Sequence, residues 1–78
     1  MTKLPALNGR ETLHLLLKAG FYVHHQSGSH ARLFHHIRTE LRVTIPIHNK
    51  DLPDGTLRSI LKQAGLSEEQ FINLLKND

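Results

Sequence analysis

Gly28-Ser29-His30 stands between two strand-like runs, and it sets an imidazole at the start of the second run, on a polar face that also carries Arg32 and Arg42. Gly28 can adopt the positive φ of a tight turn and the Ser29 hydroxyl can cap it, so His30 would emerge at the first position of a new strand. An imidazole titrates near neutrality. Beside cationic side chains it could take a proton from a sugar hydroxyl next to a phosphate. The same tripeptide also fits a plain turn followed by a surface histidine, so the elements around it decide between the two readings.

Other chemistries are disfavoured by residue type. The chain has no cysteine, which removes disulfides, thiolate metal sites and thiol nucleophiles. Its seven histidines raise a metal-site reading. Spacing speaks against it: His24-His25 and His35-His36 are adjacent pairs expected on opposite strand faces, and there is no His-x-His strand pair or i, i+4 helical pair. The expectation is therefore no metal and no cofactor.

With 78 residues and no Gly/Ser-rich or Pro-rich interior, the chain has room for one domain with one core, residues 1–6 being expected as a flexible leader. A deep pocket would be hard to build at this size. The formal charge of +3 leans toward an acidic, phosphate-bearing partner. No apolar run is long enough for a signal core or a membrane span, so the expected location is the cytoplasm, with no membrane partner.

The elements that position His30 follow from patterning. Asn8 with Glu11 three residues on is a capping-box pattern, and Leu13, Leu16 and Leu17 then fall at helical spacing before Gly20. A first strand runs from Phe21 to Gln26, with Phe21 and Val23 inward and Tyr22, His24 and Gln26 outward. The second, His30 to His36, alternates less cleanly: Ala31 and Leu33 mark the core side, and a bulge or an early end is expected. The third is the clearest, with Leu41, Val43, Ile45 and Ile47 against Arg42, Thr44, Pro46 and His48; Pro46 argues for an edge position.

Pro53 suits the first position of a helix whose stripe is Leu57, Ile60, Leu61 and Ala64, closed by Gly65. Ser67 with Gln70 opens a last helix that buries Phe71, Leu74 and Leu75. The order α-β-β-β-α-α reads as a small α+β sandwich, a three-stranded antiparallel sheet with helices on one face and the other face open. That open face would collect Tyr22, His24, His30, Arg32, Phe34, His36, Arg42, Thr44 and His48. Guanidinium groups can fork onto phosphates and rings can stack on unpaired bases, so such a surface suits nucleic acid.

Three segments together resemble the HicA toxins of bacterial toxin–antitoxin pairs: Gly28-Ser29-His30, the strand 43–48 (Val-Thr-Ile-Pro-Ile-His), and 52–67, which begins Leu-Pro-Asp-Gly-Thr-Leu and ends Gln-Ala-Gly-Leu-Ser. The leader Leu7-Asn8-Gly9-Arg10 and the helix exit Ala19-Gly20-Phe21 add to the likeness. The resemblance implies a double-stranded-RNA-binding-domain-like fold, an endoribonuclease that cleaves mRNA and arrests translation, and neutralisation by a HicB-type antitoxin, with room for an oligomer within that complex. It also implies that His30 is the catalytic residue. Where many relatives follow that histidine with a second His or an aromatic, this chain has Ala31; its loop Ile37-Arg38-Thr39-Glu40 also lacks the glycine turn common there.

The expected mechanism is metal-independent: neutral His30 takes the ribose 2′ proton and the new oxygen nucleophile attacks the adjacent phosphorus. Ser29, Arg32, Arg42, His48 and Lys50 are the candidate RNA-binding residues. The acid for the departing 5′ oxygen is open among His24, His48, protonated His30 and water. In the second helix packing accounts for the apolar stripe, while Thr56, Arg58 and Lys62 stay open: free N–H groups at Asp54-Gly55-Thr56 could hold a phosphate, Asp54 would oppose an anion there, and Arg58 also fits a solvated side chain. A non-catalytic RNA-binding module of the same fold is the alternative, and it has no need of a histidine at the turn.

Overall fold

The computed structural model describes residues 4–77. Helix α1 (Gly9–Lys18) begins as its capping box dictates: Asn8 Oδ1 accepts from the Glu11 N–H at 2.9 Å, and Glu11 Oε1 accepts from the Asn8 N–H at 2.9 Å. Two donors at the helix start are thereby satisfied. The buried face is rotated from the expected one, since Thr12, Leu15 and Leu16 are buried whereas Leu17 is 44% exposed. Leucines at 13, 15, 16 and 17 cover too much of the helix for spacing alone to choose. Thr12 can go inward because its hydroxyl donates to the Asn8 carbonyl at 2.9 Å.

Strands β1 (Phe21–Ser27), β2 (His30–His35) and β3 (Arg42–Pro46) form one antiparallel sheet in the order β1-β2-β3. Helices α2 (Asp54–Ala64) and α3 (Glu68–Lys76) complete the α+β sandwich. Phe21, Ala31, Leu33, Val43 and Ile45 are the buried row of the sheet, and Leu15, Leu16, Leu57, Ile60, Leu61 and Phe71 of the three helices close over it. The α2 stripe is the expected one, but Pro53 is the cap just before the helix rather than its first residue, its ψ of 148° being extended. Leu4 and Leu7 also join the core; of the expected leader over 1–6, residues 1–3 lie outside the described residues. No helix among the described residues is long and apolar enough to cross a membrane.

Of the two irregularities expected for β2, the early end is found there and the bulge falls in β1 instead. Tyr22 pairs with Phe34 and Val23 with Leu33, but the next partners are His25 with Arg32, Gln26 with Ala31 and Ser27 with His30. His24 is therefore the extra residue of a β-bulge. Directly opposed residues share a face. His25 thus lies on the open face with Arg32, and Gln26, expected outward, takes the inner register of Ala31. Strand β2 stops at His35, one residue early.

The turn from β2 to β3 has no glycine because a histidine ring organises it. His35 Nδ1 accepts from the backbone N–H groups of Ile37 at 3.1 Å and Arg38 at 2.9 Å. Its Nε2 lies 3.0 Å from the Ala19 carbonyl, and its ring meets Phe21 edge-on at 4.7 Å. These bonds fix the tautomer with the proton on Nε2. Strand β3 is an edge, as Pro46 suggested, and Gln63 of α2 reaches it: Gln63 Oε1 accepts from the Thr44 N–H at 3.0 Å.

Candidate nucleic-acid interface

The hairpin between β1 and β2 has a loop of two residues, Gly28 and Ser29, closed by the pair Ser27 and His30. Gly28 has φ 56° and Ser29 does not have a positive φ, the pattern of a type II′ turn, which suits the right-handed twist of paired strands. Open space surrounds the position where a Gly28 Cβ would stand, so the backbone angle is what calls for glycine. The turn delivers His30 to the first position of β2, where it is exposed. Ser29 Oγ lies 3.4 Å from His30 Nδ1. With the proton on Nδ1 facing that oxygen, Nε2 keeps the lone pair a base requires.

Along β2 the open face carries His30, Arg32 and Phe34 at alternate positions. Across from them on β3 stand Pro46, Thr44 and Arg42. The register therefore sets three of the expected site residues on one face, with Arg32 next to His30 and Arg42 at the far end, opposite Phe34 and four residues along β2 from His30. None of the three strands contains an acidic residue, so positive charge on this face is not neutralised locally.

Phe34 is held from both sides. The His24 ring stacks on it from β1, 4.0 Å away at 14°, and the Arg42 guanidinium lies over it from β3 at 4.4 Å. Its faces are thus occupied, and the groups left to meet a base or phosphate are His24 and Arg42, at the ends of the stack. Tyr22 extends the aromatic row, with His36 tilted against it at 4.5 Å.

The remaining site candidates are more scattered. Ser29 is in the hairpin loop, and its carbonyl accepts from the Ile47 N–H, which marks the end of the β2–β3 ladder; His48 follows just beyond, exposed. Lys50 sits farther along, in the bend before the bridge between Asn8 and Asp51, and the structure does not join it to the other cations. Arg58, weighed as a phosphate ligand, is engaged elsewhere. It donates to Asp54 at 2.7 Å and pairs with Glu68 at 2.8 Å, and these carboxylates raise its pKa further above the ordinary arginine value. A hollow of about 290 Å³ beside α1, lined by Leu7, Arg10, Glu11, His14, Leu15 and Leu75, lies on the helical side of the molecule, away from the open face.

The sequence reading missed His25, whose place on the open face depends on the bulge, and His35, whose ring shapes the β2–β3 turn. The bulge also overturns one premise used against a metal site, because His24 and His25 share a face; among the described residues no three His or carboxylate groups are gathered as metal ligands.

Compared with known families, residues 9–66 match the HicA toxin of bacterial toxin–antitoxin systems. The chain belongs to the HicA toxin family. The matched span runs from the first residue of α1 past the end of α2, so it takes in the whole sheet, the Gly-Ser-His turn and the α2 stripe, and leaves α3 outside. A comparison with curated proteins returned no match. A HicA toxin is one half of a toxin–antitoxin pair, and membership accordingly implies an antitoxin as partner.

Proposed function

We propose that this HicA toxin is an endoribonuclease that cleaves mRNA and so arrests translation, with His30 as the general base. The observation that carries the reading is the placement of His30: an exposed imidazole at the mouth of a tight hairpin, on an acid-free sheet face beside Arg32. Neutral His30 takes the 2′-hydroxyl proton, the 2′ oxygen attacks the neighbouring phosphorus, Arg32 stabilises the charge that builds on the phosphate oxygens, and Arg42, farther along the face, holds another phosphate of the strand. Ser29 orients the imidazole. The open face accepts an unpaired strand, and DNA, which lacks the 2′-hydroxyl, is left uncut. A HicB-type antitoxin would act by covering this face. The whole chain works as one domain in this reading, located in the cytoplasm.

The deciding experiment is incubation of the purified protein with RNA in EDTA. A 2′-hydroxyl nucleophile leaves a 2′,3′-cyclic phosphate and a 5′-hydroxyl, and cleavage should continue undiminished in chelator. Mass spectrometry of the fragments reads the ends. Ends bearing 5′-phosphate, or activity regained only with magnesium, would replace this scheme with metal-assisted hydrolysis. Binding without any cleavage would support the non-catalytic RNA-binding module.

Salt dependence tests the cations separately. If Arg32 and Arg42 each neutralise one phosphate of single-stranded RNA, replacing either with alanine should flatten the slope of log K against log salt by about 0.7. Titration of a non-cleavable RNA at several salt concentrations measures it. An unchanged slope in both variants would place the phosphate contacts elsewhere.

A further inference from the structure

We propose that His25 is the general acid of this reaction, the group that gives a proton to the departing 5′ oxygen; the assignment rests on the reading that His30 removes the 2′ proton. The bulge in β1 is what makes His25 available. A regular strand would place it on the inner register, whereas the extra residue His24 puts it opposite Arg32 on the open face. Bulges recur beside active sites because they re-aim a side chain. His25 is then the diagonal cross-strand neighbour of His30, since Ser27 faces His30 and His25 stands two residues back along β1. Diagonal neighbours lie about 7–8 Å apart, close enough for two long side chains to reach one phosphate from two sides.

The other histidines of the sheet are committed or less well placed. His24 stacks on Phe34, four residues along β2 from His30; His36 lies against Tyr22, farther still; and His35 is bonded at both ring nitrogens, Nδ1 to the β2–β3 turn and Nε2 to the Ala19 carbonyl. His48 lies past the end of the ladder on the other side of His30, with no strand partner to fix it. His25 is exposed and makes no hydrogen bond or ring contact among the described residues, and Arg32 directly across from it can hold the same phosphate. The chemistry balances. The O2′–H proton passes to His30 as the O2′–P bond forms; the P–O5′ bond breaks as the 5′ oxygen takes a proton from the His25 imidazolium; water then exchanges a proton with each imidazole, restoring both.

The test uses the purified full chain and two RNA oligonucleotides, alike except that one has sulfur in place of the bridging 5′ oxygen at the cleaved position. A thiolate is a far weaker base than an alkoxide and leaves without a proton donor. On ordinary RNA, His25→Ala should lose about 10²–10⁴-fold in rate. On the sulfur substrate it should return to within several-fold of the parent, and His25→Asn should behave alike. His30→Ala should be slow on both, because the base is needed whatever the leaving group. Equal losses for His25→Ala on the two substrates, or recovery on sulfur by His48→Ala instead, would overturn the assignment. If His30→Ala cut ordinary RNA at the parent rate while His25→Ala still recovered on sulfur, the base would be wrong and the acid upheld. A parent chain that cuts neither RNA overturns both.

Discussion

Replacing His30 with alanine should abolish ribonuclease activity and growth arrest while leaving the fold intact. A positioned general base contributes about 10²–10⁴-fold, so the variant should fall by at least the lower bound in a fixed-time cleavage assay. His30 is exposed at a strand end and fills no core volume. Surface changes of this kind usually alter stability by less than about 0.5 kcal/mol, so circular dichroism and the melting temperature should be nearly unchanged. Cleavage at the parent rate would remove His30 from the mechanism. Activity lost together with the melting transition would make it a structural residue.

The second large effect is expected at Gly9. This buried residue opens α1 directly over the end of β3. A Cβ there would run into the Pro46 carbonyl oxygen and lie 2.9 Å from its carbon and 3.2 Å from the Ile47 Cα. All three obstacles are backbone, so no side chain can swing aside. Overpacking of this kind costs about 1–3 kcal/mol or more. For a domain of this size each kcal/mol shifts the midpoint by about 4–8 °C, and Gly9→Ala should therefore melt at least several degrees lower, with the hairpin chemistry retained below the transition. A melting temperature equal to the parent's would mean that α1 can move off β3 freely.

The two sites differ in how visible they are in the sequence. The α2 stripe of Leu57, Ile60, Leu61 and Ala64 is legible because a helical period and the flanking Pro53 and Gly65 are all local, and both capping boxes are legible for the same reason. The alternation of β3 is equally local, with Val43 and Ile45 buried between exposed Arg42 and Thr44. Gly28 and His30 are legible through turn chemistry and through the family likeness. The bulge at His24 is not, because no glycine marks it and the mismatch exists only between β1 and its partner. The inward face of α1 is not legible, since four leucines leave the choice to whatever packs against them, and β1, β3 and α3 all do. Gly9 and His35 act through Pro46 and Ala19, residues distant in the chain, and contacts of that kind leave no trace in periodicity.

The sheet is also closed to growth at its sides. Gln63 occupies the outward N–H of Thr44, and Pro46 has none to offer, so a strand approaching β3 would have to displace a side chain and would then lack a donor. On the opposite side the bulge breaks the even row of backbone groups that a strand joining β1 would need. Edge-to-edge assembly, the route by which small open sheets aggregate, therefore carries a cost at both borders, whereas docking face-on to the open side carries neither.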